Sequence, residues 1–282
     1  DNCGIESFAA DQANGSVFPV GTTTETYTAT DIHGNIETAS FMVTVNDTEK
    51  PVITNVPSDI IIDNDLNTCG AVVTWTESNA ADNCGIESFA ADQVNGSVFP
   101  VGTTTVTYTA TDTHGNTETA SFTVTVNDTE KPVITNIPSD IIIDNDLNTC
   151  GAVVSWAEPQ AADNCGIEIF AADQTNGSTF PVGTTTVTYT ATDIHGNIET
   201  ASFTVTVNDT EKPVITNIPA NIEISNDAGV CEAVVSWAEP QAADNCGIES
   251  FSSDQVNGSV FPVGTTTVTY TARDIHGNIE TA

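Results

Sequence analysis

Every second position from 103 to 111 is threonine, and Val106, Tyr108 and Ala110 fill places between them. A period of two places the Val, Tyr and Ala on one face of a β-strand and a threonine stripe on the other. The same alternation resumes after the tight turn His114-Gly115-Asn116. There Phe122, Val124 and Val126 form an inward face, with Thr123 and Thr125 outward. Shorter apolar runs precede this hairpin. Positions 52–55 and 60–63 read as short edge strands separated by Pro57, and Pro51 stands at a strand start, where a missing N–H costs no pairing. Positions 71–75, 85–91 and 98–101 read as further strands, the last two joined by the Asn95-Gly96 turn. About seven short strands with Gly, Asn and Pro turns, and no helical period, predict an all-β fold: an antiparallel β-sandwich.

This unit recurs. Asp-Asn-Cys-Gly begins at Asp1, Asp82, Asp163 and Asp244, Asn-Asp-Thr-Glu-Lys-Pro at Asn46, Asn127 and Asn208, and the tryptophans stand at Trp75, Trp156 and Trp237, always 81 residues apart. A long fixed period with near-identical copies predicts an array of small domains. We place them at 1–47 (a partial repeat lacking its first strands), 48–128, 129–209 and 210–282 (lacking its last strand). The chain starts and stops inside a repeat and so reads as a window on a longer one.

Charge narrows the partners. There are 39 acidic and 4 basic residues, a formal net charge of −35. With no cationic footprint, nucleic acid and anionic lipid are not expected as partners. Carboxylates at this density repel one another unless cations neutralise them. No run of 18 apolar residues is present, so direct membrane insertion is not expected. Cys69/Cys84, Cys150/Cys165 and Cys231/Cys246 recur with one spacing. Paired cysteines in small domains predict disulfides and an extracellular or cell-surface location. Two Cys and one His per repeat at these spacings fit no common zinc pattern.

Three segments of the third copy carry a family resemblance: Cys-Gly-Ala-Val-Val-Ser-Trp at 150–156, Pro-Gln-Ala-Ala-Asp-Asn-Cys-Gly at 159–166, and Phe-Pro-Val-Gly-Thr-Thr-Thr-Val-Thr-Tyr-Thr-Ala-Thr-Asp-Ile-His-Gly-Asn at 180–197. Together they resemble the hyalin repeat, over the whole chain. The resemblance implies tandem immunoglobulin-like or fibronectin-III-like sandwiches in extracellular adhesive or matrix proteins, without enzyme activity. The fourth copy departs from it at Ser225, Ala228 and Glu232. Single hyalin-type repeats carry the same cysteine pair, so the resemblance favours bridges within each repeat. A straight strand from 71 to 75 would hold Cys69 and Cys84 roughly 20 Å apart, which leaves Cys69 to Cys165 and Cys150 to Cys246 as the alternative.

No catalytic residue is expected. His33, His114, His195 and His276 are lone turn residues, and no Ser or Cys nucleophile has a recognisable setting. Metal binding is the stronger expectation. In an immunoglobulin-like topology the domain entrance, the loop between the second and third strands and the last hairpin turn share one pole. At the central junction that pole gathers Asp128 and Glu130, Asp163 and Asn164, and Asp193 and Asn197. The equivalents at the other junctions are Asp47, Glu49, Asp82 and Asp112, and Asp209, Glu211, Asp244 and Asp274. Hard oxygen donors from three segments suit Ca²⁺ with its 6–8 ligands. The linker is similar to the Asn-Asp-containing junctions of cadherins, where calcium stiffens adjoining domains. Without an ion, the same Asp and Asn residues are ordinary turn formers. Asp63 and Asp65 form a second candidate at the opposite pole. Asn-Gly-Ser at Asn14, Asn95, Asn176 and Asn257, and Asn-Asp-Thr at Asn46, Asn127 and Asn208, are sequons that could carry N-glycans.

The expectation is a structural stalk or fibre segment, partnered by neighbouring repeats of the same chain and by other copies in a filament. The alternatives are an adhesin whose repeats bind glycans or a protein, and a spacer beside a catalytic domain.

Overall fold

A computed structural model describes residues 1–282. It is all-β, and the chain divides into two compact units, Asp1–Asp128 and Thr129–Ala282. The first holds the partial N-terminal repeat and one complete repeat. The second holds another complete repeat and the C-terminal one.

In the complete repeat of the first unit, one sheet runs in the order Ile60–Asp63, Thr117–Asn127, Gly102–Asp112, Ile86–Ala91. The long hairpin pairs from Gly102↔Val126 to Thr111↔Thr117. Ile60–Asp63 lies parallel to its outer strand, from Val124↔Ile60 to Asn127↔Asp63. Opposite it stand two short pairs, Val52–Thr54 with Asn79–Ala81 and Gly70–Val72 with Val98–Pro100. The strand Asn79–Ala81 is an addition to the sequence reading. The run expected at 71–75 is a strand only as far as Val72. Beyond it Val73 and Trp75 bond to the Asn95 turn: Val73 N–H donates to Ser97 O at 3.2 Å and Trp75 N–H to Asn95 Oδ1 at 3.0 Å.

The core follows the alternation. Val106, Tyr108, Phe122, Val124 and Val126 are buried against Ala71, Val73 and Phe99. Across the threonine face, the Thr103 and Thr125 hydroxyls meet at 3.0 Å. Trp75 packs edge-on against Phe99 and Phe122, with centroids 5.8 and 5.3 Å away. Its Nε1–H donates to Tyr108 Oη at 2.7 Å, and Tyr108 donates to Glu77 Oε2 at 2.6 Å. Each indole and phenol therefore buries its ring and still satisfies its polar end. The second unit's complete repeat has the same sheets, registers and aromatic cluster.

The partial repeats show what completeness supplies. Ile5–Ala10, Gly21–Asp31 and Ile36–Val45 form a single sheet with no facing layer, and Phe8 and Phe41 are exposed although they stack on Tyr27. In the C-terminal repeat no strand forms over 222–225, and Ile222 and Ile224 are exposed. Its counterparts elsewhere pair in parallel with the last strand of the repeat.

Candidate metal centre at the repeat junctions

Each junction is built on a hairpin turn held by its own carboxylate. Asp112, at the end of Gly102–Asp112, is fully buried. Its Oδ1 accepts from His114 N–H at 2.8 Å and Asn116 N–H at 2.9 Å, and its Oδ2 from Asn116 Nδ2 at 2.7 Å. Burial alone would raise the Asp112 carboxyl. The Asn116 side chain and the Asn116, His114 and Gly115 amides outweigh burial and hold it below the ordinary carboxylate range. Asp193 and Asp274 repeat the arrangement, with the same balance of causes. The Asx-type turn thus keeps a charged carboxylate in the interior and fixes the neighbouring histidine.

The linker and the preceding loop close over this turn. The Asp47 side chain is only 3% exposed, and its Oδ2 lies 3.2 Å from His114 Nδ1. Asp47 Oδ1 accepts from Glu49 N–H at 3.1 Å, and Asp47 O accepts from Asn116 Nδ2 at 3.3 Å. Asp82 Oδ1 accepts from Cys84 N–H at 2.8 Å. Asp82 Oδ2 is buried and has no hydrogen-bond partner, and the buried Asp47 Oδ2 has only His114 Nδ1 and the Cys84 thiol beside it. Ligand atoms of Asp47, Asp82 and Asp112 lie within 4.8 Å of one another, and so do those of Asp47, Cys84 and His114. Burial pushes the Cys84 thiol up, as do its hydrogen bond to Asp47 and the charges of Asp47, Asp82 and Asp112.

The junction inside the second unit is built alike. The Asp209 side chain is fully buried, with Oδ2 3.0 Å from His276 Nδ1, and Asp209 O accepts from Asn278 Nδ2 at 3.2 Å. Asp209, Cys246 and His276 present ligand atoms within 4.8 Å. Asp244 Oδ2 and Asn245 Oδ1 are buried without a partner. Asp163 holds Cys165 N–H and Gly166 N–H through Oδ1, while its Oδ2 is buried and unpartnered.

The predicted ligands do not all converge. Glu49 Oε2 accepts from Asn83 Nδ2 at 3.0 Å. Glu211 Oε2 accepts from Asn148 N–H at 2.8 Å and Asn145 Nδ2 at 3.2 Å, in the turn of the preceding repeat. Asn197 is bound to Asp193. At the opposite pole Asp65 Oδ2 accepts from Val72 N–H at 2.8 Å, and Asp63 pairs with Asn127 as part of an edge strand. That second candidate is a turn lock. The sequon residues Asn95, Asn176 and Asn257 are clamps on the tryptophan backbone. Asn95 Nδ2 donates to Trp75 O at 2.8 Å and Glu77 Oε1 at 3.0 Å while Oδ1 accepts from Trp75 N–H, and Asn14 is exposed.

The disulfide corrects the favoured pairing. Cys150 is bonded to Cys246 of the next repeat, with Cα atoms 4.7 Å apart and 96 residues between them in sequence. Cys84 and Cys231, expected in bridges, are free thiols, as is Cys3. The reason is topological. Cys150 lies by the turn whose Asn145 N–H donates to Asn208 O, at the far end of Ile198–Asn208. Cys165 precedes Ile167, which pairs with Asp193 at the other end of that hairpin. Eleven strand residues separate the two poles, roughly 30 Å, far beyond disulfide reach. The linker carries the chain back to Cys150 with the next repeat's loop. Asn245 Nδ2 donates to Thr149 O at 3.1 Å, and Thr210 N–H to Asn145 Oδ1 at 3.0 Å.

The HYR domain model matches residues 1–45, 46–126, 127–207 and 208–282. The chain belongs to the HYR-domain family. It is 41% identical over 276 residues to Hyalin of Lytechinus variegatus, covering 94% of this chain and 52% of that protein. It is 39% identical over 294 residues to Hyalin of Strongylocentrotus purpuratus, covering 99% of this chain and 24% of that one. The chain thus spans about half or less of the length of these relatives. Similar solved structures include a protocadherin gammaB7 EC3-6 cis-dimer (16% identity, TM-score 0.32, 93% of this chain and 84% of that one) and Drosophila N-cadherin EC1-4 (14%, TM-score 0.29, 94% and 83%). These HYR repeats are extracellular or cell-surface domains, in keeping with a disulfide that needs an oxidising compartment.

Proposed function

We propose that these HYR repeats are a structural, non-enzymatic segment of an extracellular stalk or fibre, stapled by disulfides between consecutive repeats and stiffened by Ca²⁺ at the junctions. The observation that carries the calcium reading is the cluster of Asp47, Asp82 and Asp112, whose ligand atoms lie within 4.8 Å of one another, with Asp82 Oδ2 buried and unpartnered among them. Burying carboxylate oxygens without a counter-charge costs several kcal/mol, and a hard divalent cation removes that cost with ligands of the right kind. Asp47 comes from the linker, Asp82 and Asp112 from the following repeat. An ion held by all three ties the linker angle to the domain. The corresponding residues in the second unit are Asp209 and Asp244; Asp244 Oδ2 is likewise buried without a partner, while Asp209 Oδ2 meets His276 Nδ1 at 3.0 Å.

Binding Ca²⁺ would also offset part of the self-repulsion of a chain of net charge −35. The partners we propose are neighbouring repeats of the same chain and further copies in a filament. The test is thermal unfolding and small-angle scattering of the whole chain with millimolar Ca²⁺ and with excess chelator. A calcium-dependent rise in melting temperature, reduced in an Asp47→Asn, Asp209→Asn variant, supports the reading. An unchanged melting temperature and unchanged scattering overturn calcium as the stiffener.

A further inference from the structure

We propose that Asn95, Asn176 and Asn257 are deamidation sites gated by folding: a closed repeat holds its Asn-Gly pair inert, and a repeat that opens is modified there and recloses without its clamp. Asn-Gly is prone to this reaction because glycine leaves the backbone nitrogen after the asparagine unshielded. The Gly96 nitrogen, once deprotonated, attacks Asn95 Cγ. A C–N bond forms, Nδ2 leaves as ammonia, and water opens the resulting succinimide ring to aspartate or isoaspartate. Water is the only co-reactant.

The fold blocks this step at both reacting atoms. Gly96 N–H donates to Val73 O at 2.9 Å, which fixes the proton and the direction of the nitrogen. The half-buried Asn95 amide is turned onto the backbone of Trp75. Its Oδ1 accepts from Trp75 N–H at 3.0 Å, and its Nδ2 donates to Trp75 O at 2.8 Å and Glu77 Oε1 at 3.0 Å. Ring closure requires these contacts to open together. The later copies hold the pair alike. Gly177 N–H donates to Val154 O and Gly258 N–H to Val235 O, each at 2.9 Å, and Asn176 and Asn257 repeat the bonds to Trp156 and Trp237.

The clamp needs both members of this labile pair. Gly96 has a φ of 82°, in the left-handed region that favours glycine. The asparagine must donate and accept at once, whereas an ionised aspartate only accepts. Deamidation of Asn176 therefore removes the donor to Trp156 O and sets a second carboxylate where Nδ2 meets Glu158 Oε1 at 2.9 Å. Like charges at that distance repel. Opening thus exposes the pair to a reaction whose product weakens the closed state, and the opening becomes irreversible.

The test follows the whole chain at mildly alkaline pH, folded in buffer and unfolded in urea, by peptide mass spectrometry with isoaspartate detection. Deamidation at Asn95, Asn176 and Asn257 is expected to be slower in the folded chain by about tenfold or more, as a closed local equilibrium imposes. Asn14 of Asn14-Gly15 is exposed in this chain and serves as the internal reference, with similar rates in both conditions. Glu158→Ala removes one Asn176 contact and leaves the Asn-Gly pair intact. It is expected to speed deamidation of Asn176 by about threefold or more, while Asn95 keeps its rate. Asn176→Asp, the direct product, is expected to lower the urea midpoint. Equal rates in the folded and unfolded chain, an Asn176 rate unmoved by Glu158→Ala, or a parental urea midpoint for Asn176→Asp overturns the proposal.

Discussion

Cys150 and Cys246 join two consecutive repeats, and each leaves its nearest cysteine in sequence unbonded to it. The bond closes a long loop around the linker. It acts beside the Glu211 contacts to Asn145 and Asn148 and the Asn245 contact to Thr149. Removing it with Cys150→Ser is expected to cost about 2–4 kcal/mol of stability. The loss is read from urea unfolding under non-reducing conditions, together with faster proteolysis in the linker 209–213. A variant that unfolds and is cleaved like the parent would show that the polar contacts alone hold the junction.

Gly70 and Gly151 are glycines because of a neighbouring backbone. A Cβ built on either would lie 2.5 Å from the carbonyl oxygen of Phe99 or Phe180 on the paired strand. Gly151→Ala should therefore destabilise its repeat by about 1–3 kcal/mol, the usual cost of overpacking, as measured by the urea midpoint. The fourth copy carries Glu232 at this place, pairing with Pro262, so Glu232→Ala should change stability far less.

Asn176 is predicted to matter as a clamp on Trp156. Its side chain accepts from Trp156 N–H and donates to Trp156 O, doing for the backbone what a paired strand would do. Asn176→Ala leaves both groups without these partners beneath the Trp156–Phe203 contact. The expected cost is about 1–3 kcal/mol, visible in thermal melts and in a changed tryptophan emission. Unchanged stability would mean that water replaces the amide without loss.

The Tyr189–Glu158 pair predicts stability limits at both ends of the pH scale. The Glu158 carboxyl is held below its ordinary range chiefly by the Tyr189 hydroxyl, then by Asn176. The Tyr189 phenol is pushed up, first by burial and then by Glu158. A depressed carboxyl stabilises the fold above its unfolded pKa of about 4.3 and loses that contribution as the pH falls through the folded value. A raised phenol stabilises below about pH 10 and loses its contribution as the pH rises through the folded value. Tyr189→Phe should therefore be less stable than the parent at neutral pH, and the difference should shrink toward both extremes. Urea midpoints measured across pH check this, and a pH-independent difference would contradict it.

Most of the strand plan was legible locally. Alternation of Thr with Val, Tyr and Phe is a property of neighbouring residues, so the long hairpin and its buried face at Val106, Tyr108, Phe122, Val124 and Val126 could be read directly. Asn79–Ala81 was missed because three small residues carry no alternation. Its pairing with Val52–Thr54 exists only once both segments are brought together. The candidate ligands Asp47, Asp82 and Asp112 were legible as hard donors near one pole. The approach of Cys84 to His114 had no local signal, because it depends on the pairing of Ile86 with Asp112.

By itself, the sequence determined the repeat, its period, the all-β class and the acidic character, because these are written in residue type and spacing. The tertiary structure decided which cysteine meets which, which carboxylates are buried unpartnered, and which asparagines are clamps. Those outcomes depend on which pole of a long hairpin each turn occupies. Strand length sets that distance, and two cysteines 15 residues apart in sequence can stand farther apart in space than two that are 96 residues apart.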